Sequence, residues 1–366
     1  MVFELLDAGQ LEDFLKITDE KVIEFAERHN LYEKEEALTS KLYTSNLYKY
    51  AKERFFKRGK RFRPAVTYAS CKAISGEMEK ATPFAVSIEL IHNGYLDIDD
   101  VFDKSPQRRG SPATWTIVGP ERAILCGLIN CDVLPHIILN IGVEEYGWDS
   151  ELLLYSNKLI GITKKHTVAG EYMDIELRRS PELNTDIQLQ IYALKTGYYT
   201  VGCPMAGGAR IGGASNETAD KLFEIGKDIG CAFQIRDDLL NLATLDRVKE
   251  KGLDLKTAKT KYGKEPGDDL NEGKPTLPVA IFNERATEED KKEFYSKFGR
   301  MDPRLTFNEC YRLKRLLDKY DALNESEKIA ENLLNNGMRS VRSIIPQTDL
   351  SRELYSLLLF ASKREW

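Results

Sequence analysis

The sequence lacks an excess of positive charge and lacks a glycine-rich phosphate loop. Its 53 Lys and Arg residues stand against 58 Asp and Glu residues, which gives a formal net charge of −5. Proteins that bind nucleic acid usually display a strong excess of Lys and Arg, so this function class is excluded. No glycine-rich segment of the kind that cradles phosphates is present. Anionic partners must therefore be bound by separate lysines and arginines.

Features of secreted and membrane proteins are also missing. The six cysteines form no CxxC pair and have no metal-ligand spacing, which indicates reduced thiols without disulfides. The N-terminal segment MVFELLDAGQLEDFLK carries acids within its apolar pattern, unlike a signal peptide. The most apolar run, CGLINCDVLPHIILNIGV, is interrupted by Asp132, Pro135 and His136, which favours a buried helix over a membrane span. We therefore expect a cytoplasmic protein without a transmembrane segment.

Alternating strand patterns are absent, and helical periodicity dominates the chain. Apolar residues recur every three or four positions in segments such as EKVIEFAERHN and ATPFAVSIELIHNGYL. No linker rich in Pro, Gly or Ser divides the 366 residues. The sequence predicts an all-α fold with one domain over 1–366. Within it we expect N-terminal helices in 1–57, an inserted polar, lysine-rich loop over 244–262 and C-terminal helices in 300–366.

What the sequence does contain is two clusters of acids, each following an apolar helix. The first, LDIDDVFDKSPQRRG at 96–110, places four carboxylates in seven positions ahead of Arg108 and Arg109. On a helix, Asp99 and Asp103 share one face and Asp100 lies close beside them. A solvated acidic face is the simpler interpretation, but the preceding ELIHNGYL is apolar enough to be buried, where unpaired charge is unfavourable. Mg2+ suits such a cluster, because a few carboxylates and substrate phosphates usually bind it.

The second cluster is FQIRDDLLN, which contains Asp237, Asp238 and Asn241. Asp237 and Asn241 share one helix face. Asn241 offers an oxygen but adds no charge, so this side should bind a cation more weakly than three aspartates would. The two clusters could face each other across a helical bundle.

Separated cations complete the candidate site. Lys60 and Arg63 stand three apart beside Gly59 in RGKRFRP, where they could grip a diphosphate, although a charged surface turn is the simpler interpretation of this motif alone. His92, two turns before Asp99, could add a hydrogen bond, but a lone helical histidine is more often a satisfied core residue. Weaker single features are Lys195, Thr196, Lys264, Asp269 and Lys274.

Together these motifs resemble those of the trans-type isoprenyl diphosphate synthases, which condense isopentenyl diphosphate with an allylic diphosphate. The family's DDxxD followed by RRGxP stands here as DDVFDKSPQRRGSP, and its FQxxDDxxD stands as FQIRDDLLN. GKRFRP, the Lys195–Thr196 pair and GKEPGDDLNEGKPT match further family motifs, in the family's order. The resemblance implies a single large helical bundle of the isoprenoid synthase type, with a central cavity, and a homodimer.

The resemblance also implies a role for each matched residue. Two Mg2+ ions would be held by Asp99 and Asp103 and a third by Asp237, with Asp100 and Asp238 in support. The residues implied to bind the allylic diphosphate are Arg108, Lys195 and Lys264, and Lys274 is a further substrate-binding cation. The residues implied to bind isopentenyl diphosphate are Gly59, Lys60, Arg63, His92 and Arg109. Thr196 and Gln234 would line the reaction centre.

This sequence departs from the family pattern in three places. Glu171 replaces the glutamine of GQxxD and adds an acid near Asp174. Asn241 replaces the last aspartate of the second motif, as in some geranylgeranyl diphosphate synthases. The segment between the second motif and Gly263 is longer than usual, and no motif matches the chain past residue 300.

The helix before Asp99 is expected to set the product length. Gly94 leaves room at a position where short-chain members often place an aromatic ring, whereas Tyr95 narrows the pocket one turn from the metal site. Tyr95 could instead pack against a neighbouring helix. We expect mainly a twenty-carbon product, geranylgeranyl diphosphate, with the fifteen-carbon farnesyl product or a longer chain as alternatives.

Two other functions share part of this pattern. A class I terpene cyclase uses the same DDxxD chemistry but needs no site for a second diphosphate. The presence of both Lys60 with Arg63 and Lys264 with Lys274 argues against a cyclase, which would also carry Ser or Thr where Asn241 stands. A non-catalytic subunit of a synthase should have lost its aspartates, and this chain keeps at least five in the two clusters. The synthase is therefore the favoured function.

Overall fold

The computed structural model describes residues 3–32, 41–57, 59–108, 110–251 and 266–362. Across these segments the structure is almost entirely helical, and its only strands, β1 (Gln107–Arg108) and β2 (Ser111–Pro112), form one short antiparallel hairpin. The predicted all-α fold is confirmed.

The chain forms two compact units. Unit 1 contains the chain up to Ile162 together with Cys203–Phe223 and Arg342–Leu358. Unit 2 contains Thr163–Gly202, Glu224–Val341 and the chain from Leu359 onward. The expectation of one domain stays a prediction.

Seventeen α-helices are described, with two π-helical and two 3-10 segments between them. The α-helices are α1 (Ala8–Arg28), α2 (Lys41–Phe56), α3 (Phe62–Ser75), α4 (Thr82–Phe102), α5 (Thr114–Val118), α6 (Pro120–Leu128), α7 (Leu134–Glu145), α8 (Ser150–Glu176), α9 (Thr185–Tyr192), α10 (Cys203–Ile211), α11 (Asn216–Lys251), α12 (Asp268–Glu272), α13 (Leu277–Arg285), α14 (Glu288–Tyr295), α15 (Phe307–Lys319), α16 (Ala322–Ile344) and α17 (Arg352–Ser362). The π-helical segments are Ile129–Val133 and Ala193–Gly202, and the 3-10 segments are Glu79–Ala81 and Asp349–Ser351.

Helix α4 forms the centre of unit 1. It is apolar on nearly all sides, and side chains such as Phe84, Leu90 and Ile91 are buried. A helix that is apolar all round must be enclosed by other helices. Helices α3, α6 and α7 pack against it in this unit. This packing places the acids that follow the apolar part of α4 at the end of a buried helix.

The prediction of a polar loop over 244–262 is wrong for residues 244–251, which are helical. Helix α11 continues to Lys251, because Leu245 and Val248, three residues apart, bury their side chains. Helix α15 holds this extension, since Lys314 Nζ lies 2.7 Å from a carboxylate oxygen of Asp246 and Lys249 Nζ lies 3.7 Å from the ring centroid of Tyr311. Residues 252–262 lie outside the described residues.

Candidate active site

The first acid cluster closes helix α4. Asp103 caps the helix and donates its backbone N–H to the Asp99 carbonyl over 2.8 Å. The side chains differ in exposure: that of Asp99 is 23% exposed, whereas Asp100 and Asp103 are buried. Of the two adjacent aspartates, Asp99 therefore has the side chain that solvent reaches.

Arg108 lies against these acids, because the hairpin of β1 and β2 folds back toward the end of α4. Its Nε donates to Oδ1 of Asp100 over 2.7 Å, and its Nη2 lies 3.2 Å from Oδ2 of Asp99. Burial alone would lower the pKa of Arg108, but Asp100 and Asp99 raise it above its ordinary value. The predicted substrate cation is thus paired with two of the predicted metal-site acids. Arg109 lies outside the described residues.

A second arginine, Arg54 of α2, reaches the same cluster from the interior. It donates from Nε to Asp97 over 2.8 Å and from Nη2 to Asp100 over 3.3 Å, and Thr114 donates to the same oxygen of Asp97 over 2.8 Å. Burial raises the pKa of Asp97, against the lowering effect of Arg54. Sequence reasoning assigned no role to Arg54, Asp97 or Thr114. The sequence did contain a signal for Arg54 and Asp97, because each is a charged residue at a position where the apolar pattern of its helix predicts a buried side chain.

The GKRFRP motif leads into helix α3. Lys60 is exposed, and Arg63 and Gly59 are partly accessible. Arg61 between them is buried and donates to Glu89 over 2.6 Å and to Asp19 over 2.7 Å. The motif therefore combines one structural arginine, which sequence reasoning did not single out, with two accessible cations.

His92, Gly94 and Tyr95 lie on α4 before the acids, and His92 and Tyr95 are half-buried. The prediction that Gly94 leaves room in a product pocket is wrong. A Cβ atom built at Gly94 would lie 2.4 Å from the carbonyl oxygen of Gly127 and 2.6 Å from Cβ of Cys131. Gly94 is needed because the backbone of the neighbouring helix passes there, so its missing side chain opens no cavity.

This close approach predicts a large loss of stability for Gly94→Ala. The added methyl group must displace backbone, which usually destabilises a packed core by about 1–3 kcal/mol or more. Gly161→Ala is the matched control, because it lies on α8 in the same unit with no atom within 4 Å of its added Cβ. There alanine should stabilise the helix by roughly 0.5–1 kcal/mol. Urea unfolding of both variants measures the difference, and equal midpoints would contradict the packing at Gly94.

In unit 2, hydrogen bonds connect the second aspartate motif to the Lys195–Thr196 pair. Thr196 donates to Oε1 of Gln234 over 3.1 Å, and Nε2 of Gln234 donates to Oδ1 of Asp238 over 2.8 Å. Tyr192, which sequence reasoning missed, donates to Oδ2 of Asp238 over 2.5 Å and accepts from the backbone N–H of Leu277. Thr196, Gln234 and Asp238 are thus brought together as one chain of hydrogen bonds.

The two adjacent aspartates of α11, like those of α4, differ in the exposure of their side chains. Asp237 is half-exposed, whereas Asp238 is buried. Burial and the nearby Asp269 raise the pKa of Asp238 to about 7, although Tyr192 and Gln234 act in the opposite direction. Asn241 is buried, and its amide oxygen has no hydrogen-bond partner among the described residues. Asp237 is therefore the accessible carboxylate of this motif.

Lys195 lies on the π-helical segment Ala193–Gly202. It is next to Glu171, the acid that replaces the glutamine of GQxxD. Its Nζ is 3.0 Å from Oε2 of Glu171 and 3.2 Å from Oδ2 of Asp174, which also pairs with Arg178 over 3.3 Å. Segments of π-helix occur frequently at functional sites. The extra acid thus contacts the predicted substrate lysine directly.

Lys274 lies beside Asp238 in the same unit. Both residues line a cavity of about 10 Å3, the size of one water molecule, together with Asp269 and Thr276. Nζ of Lys274 also pairs with Glu272 over 2.9 Å. Lys264 lies outside the described residues.

The accessible groups are hard oxygen donors that suit Mg2+. They are the carboxylates of Asp99 in unit 1 and of Asp237 in unit 2. The amide oxygen of Asn241 is buried and otherwise unsatisfied within the described part of the chain. No three His, Cys, Asp or Glu side chains in that part form a finished metal cluster. Mg2+ needs no such cluster, because it keeps several waters and is bound through one or two carboxylates and substrate phosphates.

The chain matches a known family along most of its length. The family model described as polyprenyl synthetase matches residues 44–313. The chain belongs to the polyprenyl synthetase family. It is a prenyltransferase of the short-chain trans type, and the resemblance of its motifs to that family is confirmed.

Curated members of the polyprenyl synthetase family and a solved structure support the assignment. A short chain isoprenyl diphosphate synthase of Methanothermobacter thermautotrophicus is 27% identical over 84% of this chain and 87% of its own. A geranylgeranyl diphosphate synthase of Mycobacterium tuberculosis is 33% identical over 62% of this chain and 60% of its own. The crystal structure of a geranylgeranyl pyrophosphate synthetase from Pyrococcus horikoshii is 28% identical, has a TM-score of 0.78 and matches over 98% of both chains.

Proposed function

We propose that the protein condenses isopentenyl diphosphate with an allylic diphosphate in a Mg2+-dependent reaction, with geranylgeranyl diphosphate as the main product. The observation that carries the proposal is the pairing of accessible and buried acids in both motifs. Asp99 and Asp237 are accessible, while Asp100 and Asp238 are held by buried hydrogen-bond partners. A farnesyl or longer-chain product is the alternative outcome of the same chemistry.

In this proposal Asp99 and Asp103 would hold two Mg2+ ions and Asp237 a third, with Asp103 the buried member of these three acids. Asp100 and Asp238 support the site from the interior, where their partners fix them, rather than as exposed ligands. The bound ions supply positive charge that stabilises the departing diphosphate. Arg108, Lys195, Lys264 and Lys274 add fixed positive charge around the allylic diphosphate, which is the usual way that enzymes stabilise a charge that develops in the transition state.

Isopentenyl diphosphate is bound separately, through Gly59, Lys60, Arg63, His92 and Arg109. The allylic C–O bond breaks, its electron pair leaves with the diphosphate, and a carbocation remains. The double bond of isopentenyl diphosphate attacks that cation to form the new C–C bond, and one proton is then lost to the released diphosphate. Thr196 and Gln234 line the reaction centre, where their mutual hydrogen bond fixes both side chains. Water must be excluded, because it would capture the cation.

The test is incubation of the purified protein with isopentenyl diphosphate and each allylic starter: dimethylallyl, geranyl or farnesyl diphosphate. Chromatography of the dephosphorylated products identifies the chain length. A cyclic hydrocarbon formed from a single allylic diphosphate would assign the protein to the terpene cyclases instead. No product with any starter would favour a non-catalytic subunit.

We also propose that the protein is a cytoplasmic homodimer whose interface includes one face of α6 and α7. Among the described residues, Pro120–Glu145 is the one stretch long and apolar enough to cross a membrane, but half of it is buried in the protein. Its other face carries exposed Leu125, Leu128, Ile137 and Val143 at helical spacing. These apolar side chains share the exposed face with Asp132, His136 and Asn140, and a mixed surface of this kind suits an interface in which a second copy offers the same face in return.

Charge placed on this face should separate the dimer. Leu125→Glu combined with Leu128→Glu buries two unpaired carboxylates in the proposed interface, so we expect monomers at micromolar concentration. Leu350→Glu is the control, because Leu350 is 42% exposed, close to the 41% of Leu128, but lies outside this face. Size-exclusion chromatography with light scattering gives the mass. A monomeric wild type that floats with phosphatidylcholine vesicles would assign the face to a membrane.

A further inference from the structure

We propose that Arg54 is a positioning residue that holds Asp100 in place, so that Arg108 can exchange its contact with Asp100 for the allylic diphosphate. The inference rests on the proposed function in one respect, namely that Arg108 binds a diphosphate. Arg54 itself has no contact with substrate in this scheme.

The contacts place Arg54 between two buried acids. Arg54, Asp97 and Asp100 are each no more than 2% exposed. The guanidinium donates to Asp97 over 2.8 Å and to Asp100 over 3.3 Å, and it also lies 3.3 Å from the hydroxyl of Thr114. The distances show that Asp97 is the nearer partner and that Asp100 is shared between two arginines.

Arg108 is the other partner of Asp100. It bonds to the opposite carboxylate oxygen, Oδ1, and its Nη2 also contacts Asp99. Arg108 is partly accessible, with 19% of its side chain exposed, whereas Arg54 is enclosed. Only Arg108 of the two can turn toward a ligand from solution.

The balance of charge explains why Arg54 matters for that exchange. If Arg108 left Asp100 without another cation present, a buried carboxylate would remain unpaired, which is strongly unfavourable. Arg54 prevents this, because it keeps Oδ2 of Asp100 bonded after Arg108 has turned away. Arg54 thereby lowers the free energy needed to release Arg108.

The cluster is also incompletely satisfied, which argues against a purely structural role. Nη1 of Arg54 and Oδ2 of Asp97 are buried and make no hydrogen bond with the described residues. Such atoms are rare in folded proteins, and each calls for an explanation. A cluster selected for stability alone would be expected to pair them.

The experiment compares Arg54→Met with the charge-balanced double variant Arg54→Met/Asp97→Asn. The single variant leaves two buried acids with one arginine, so its melting temperature should fall. The double variant removes one acid and should recover most of that loss. In both, Asp100 has lost Arg54, so we expect the KM for the allylic diphosphate to rise at least tenfold while the KM for isopentenyl diphosphate changes less than twofold.

Arg61→Met is the control, because Arg61 is the second fully buried arginine among the described residues of unit 1 and pairs with Glu89 and Asp19 instead. It should lower the melting temperature without raising the KM for the allylic diphosphate. Calorimetric titration with inorganic diphosphate and Mg2+ should show the same tenfold loss in both Arg54 variants. Because this titration needs no turnover, it tests Arg54 even if the proposed reaction fails.

Three results would overturn the proposal. A double variant that recovers both its melting temperature and its diphosphate binding would show that Arg54 only balances Asp97. An equal rise in the KM values for the allylic diphosphate and for isopentenyl diphosphate would show that Arg54 has no selective effect on the allylic diphosphate site. Failure of both Arg54 variants to fold would make Arg54 a structural residue.

Discussion

Alanine at Asp99 or at Asp237 should lower kcat at least a thousandfold while the protein stays folded. Each substitution removes an accessible carboxylate that would hold Mg2+ against the leaving group. A thousandfold loss corresponds to about 4 kcal/mol of transition-state stabilisation. The fold should survive, because neither side chain is buried in the core. Turnover under saturating substrates, measured with and without EDTA, checks both the residues and the metal.

Asp228→Ala is the control for Asp237→Ala. Asp228 lies on the same helix α11 with 42% of its side chain exposed, and its nearest cation is Lys227 at 3.5 Å. Its replacement should change kcat less than threefold and should leave the circular dichroism spectrum unaltered. A folded Asp99→Ala or Asp237→Ala variant that kept a tenth of wild-type turnover would refute the metal assignment.

The two acid motifs can be recognised from the sequence because their pattern is local, whereas only the structure shows that Asp99 and Asp237 are accessible and that Asp103 and Asn241 are buried. Asp99 and Asp103 lie one helical turn apart, and the same spacing separates Asp237 from Asn241, so helix geometry alone relates them. The fold class followed from the same periodicity. The helical continuation of α11 past Thr244 was missed because two buried residues, Leu245 and Val248, are outnumbered by charged residues, of which Asp246 and Lys249 contact α15, a distant segment of the chain.

Contacts between distant segments could not be predicted in this way. Arg54 is 43 residues from Asp97 in sequence, and no motif or spacing in either segment indicates that the two side chains form a hydrogen bond. The same limit explains Gly94: its missing side chain suggested a cavity, but the backbone of Gly127 occupies that space. A glycine marks a place where a side chain does not fit, and only the structure shows whether a cavity or a neighbouring helix is the reason.

With Gly94 enclosed, Tyr95 becomes the residue of α4 that we expect to limit product length. It lies one turn, about 5.4 Å, before Asp99, and its ring is half-buried. Tyr95→Ala removes the ring and should lengthen the growing chain, so the main product should shift from twenty carbons to twenty-five or more. Chromatography of the dephosphorylated products, with farnesyl diphosphate as the starter, measures the shift.

Tyr95→Phe separates the bulk of the ring from its hydroxyl group. If the ring limits the chain by its size, the phenylalanine variant should keep the wild-type product, because it fills the same volume. If both variants lengthen the product, the hydroxyl group fixes the ring and its loss is sufficient to open the pocket. If an active Tyr95→Ala enzyme gives an unchanged product distribution, Tyr95 packs against a neighbouring helix and residues outside α4 must stop the chain.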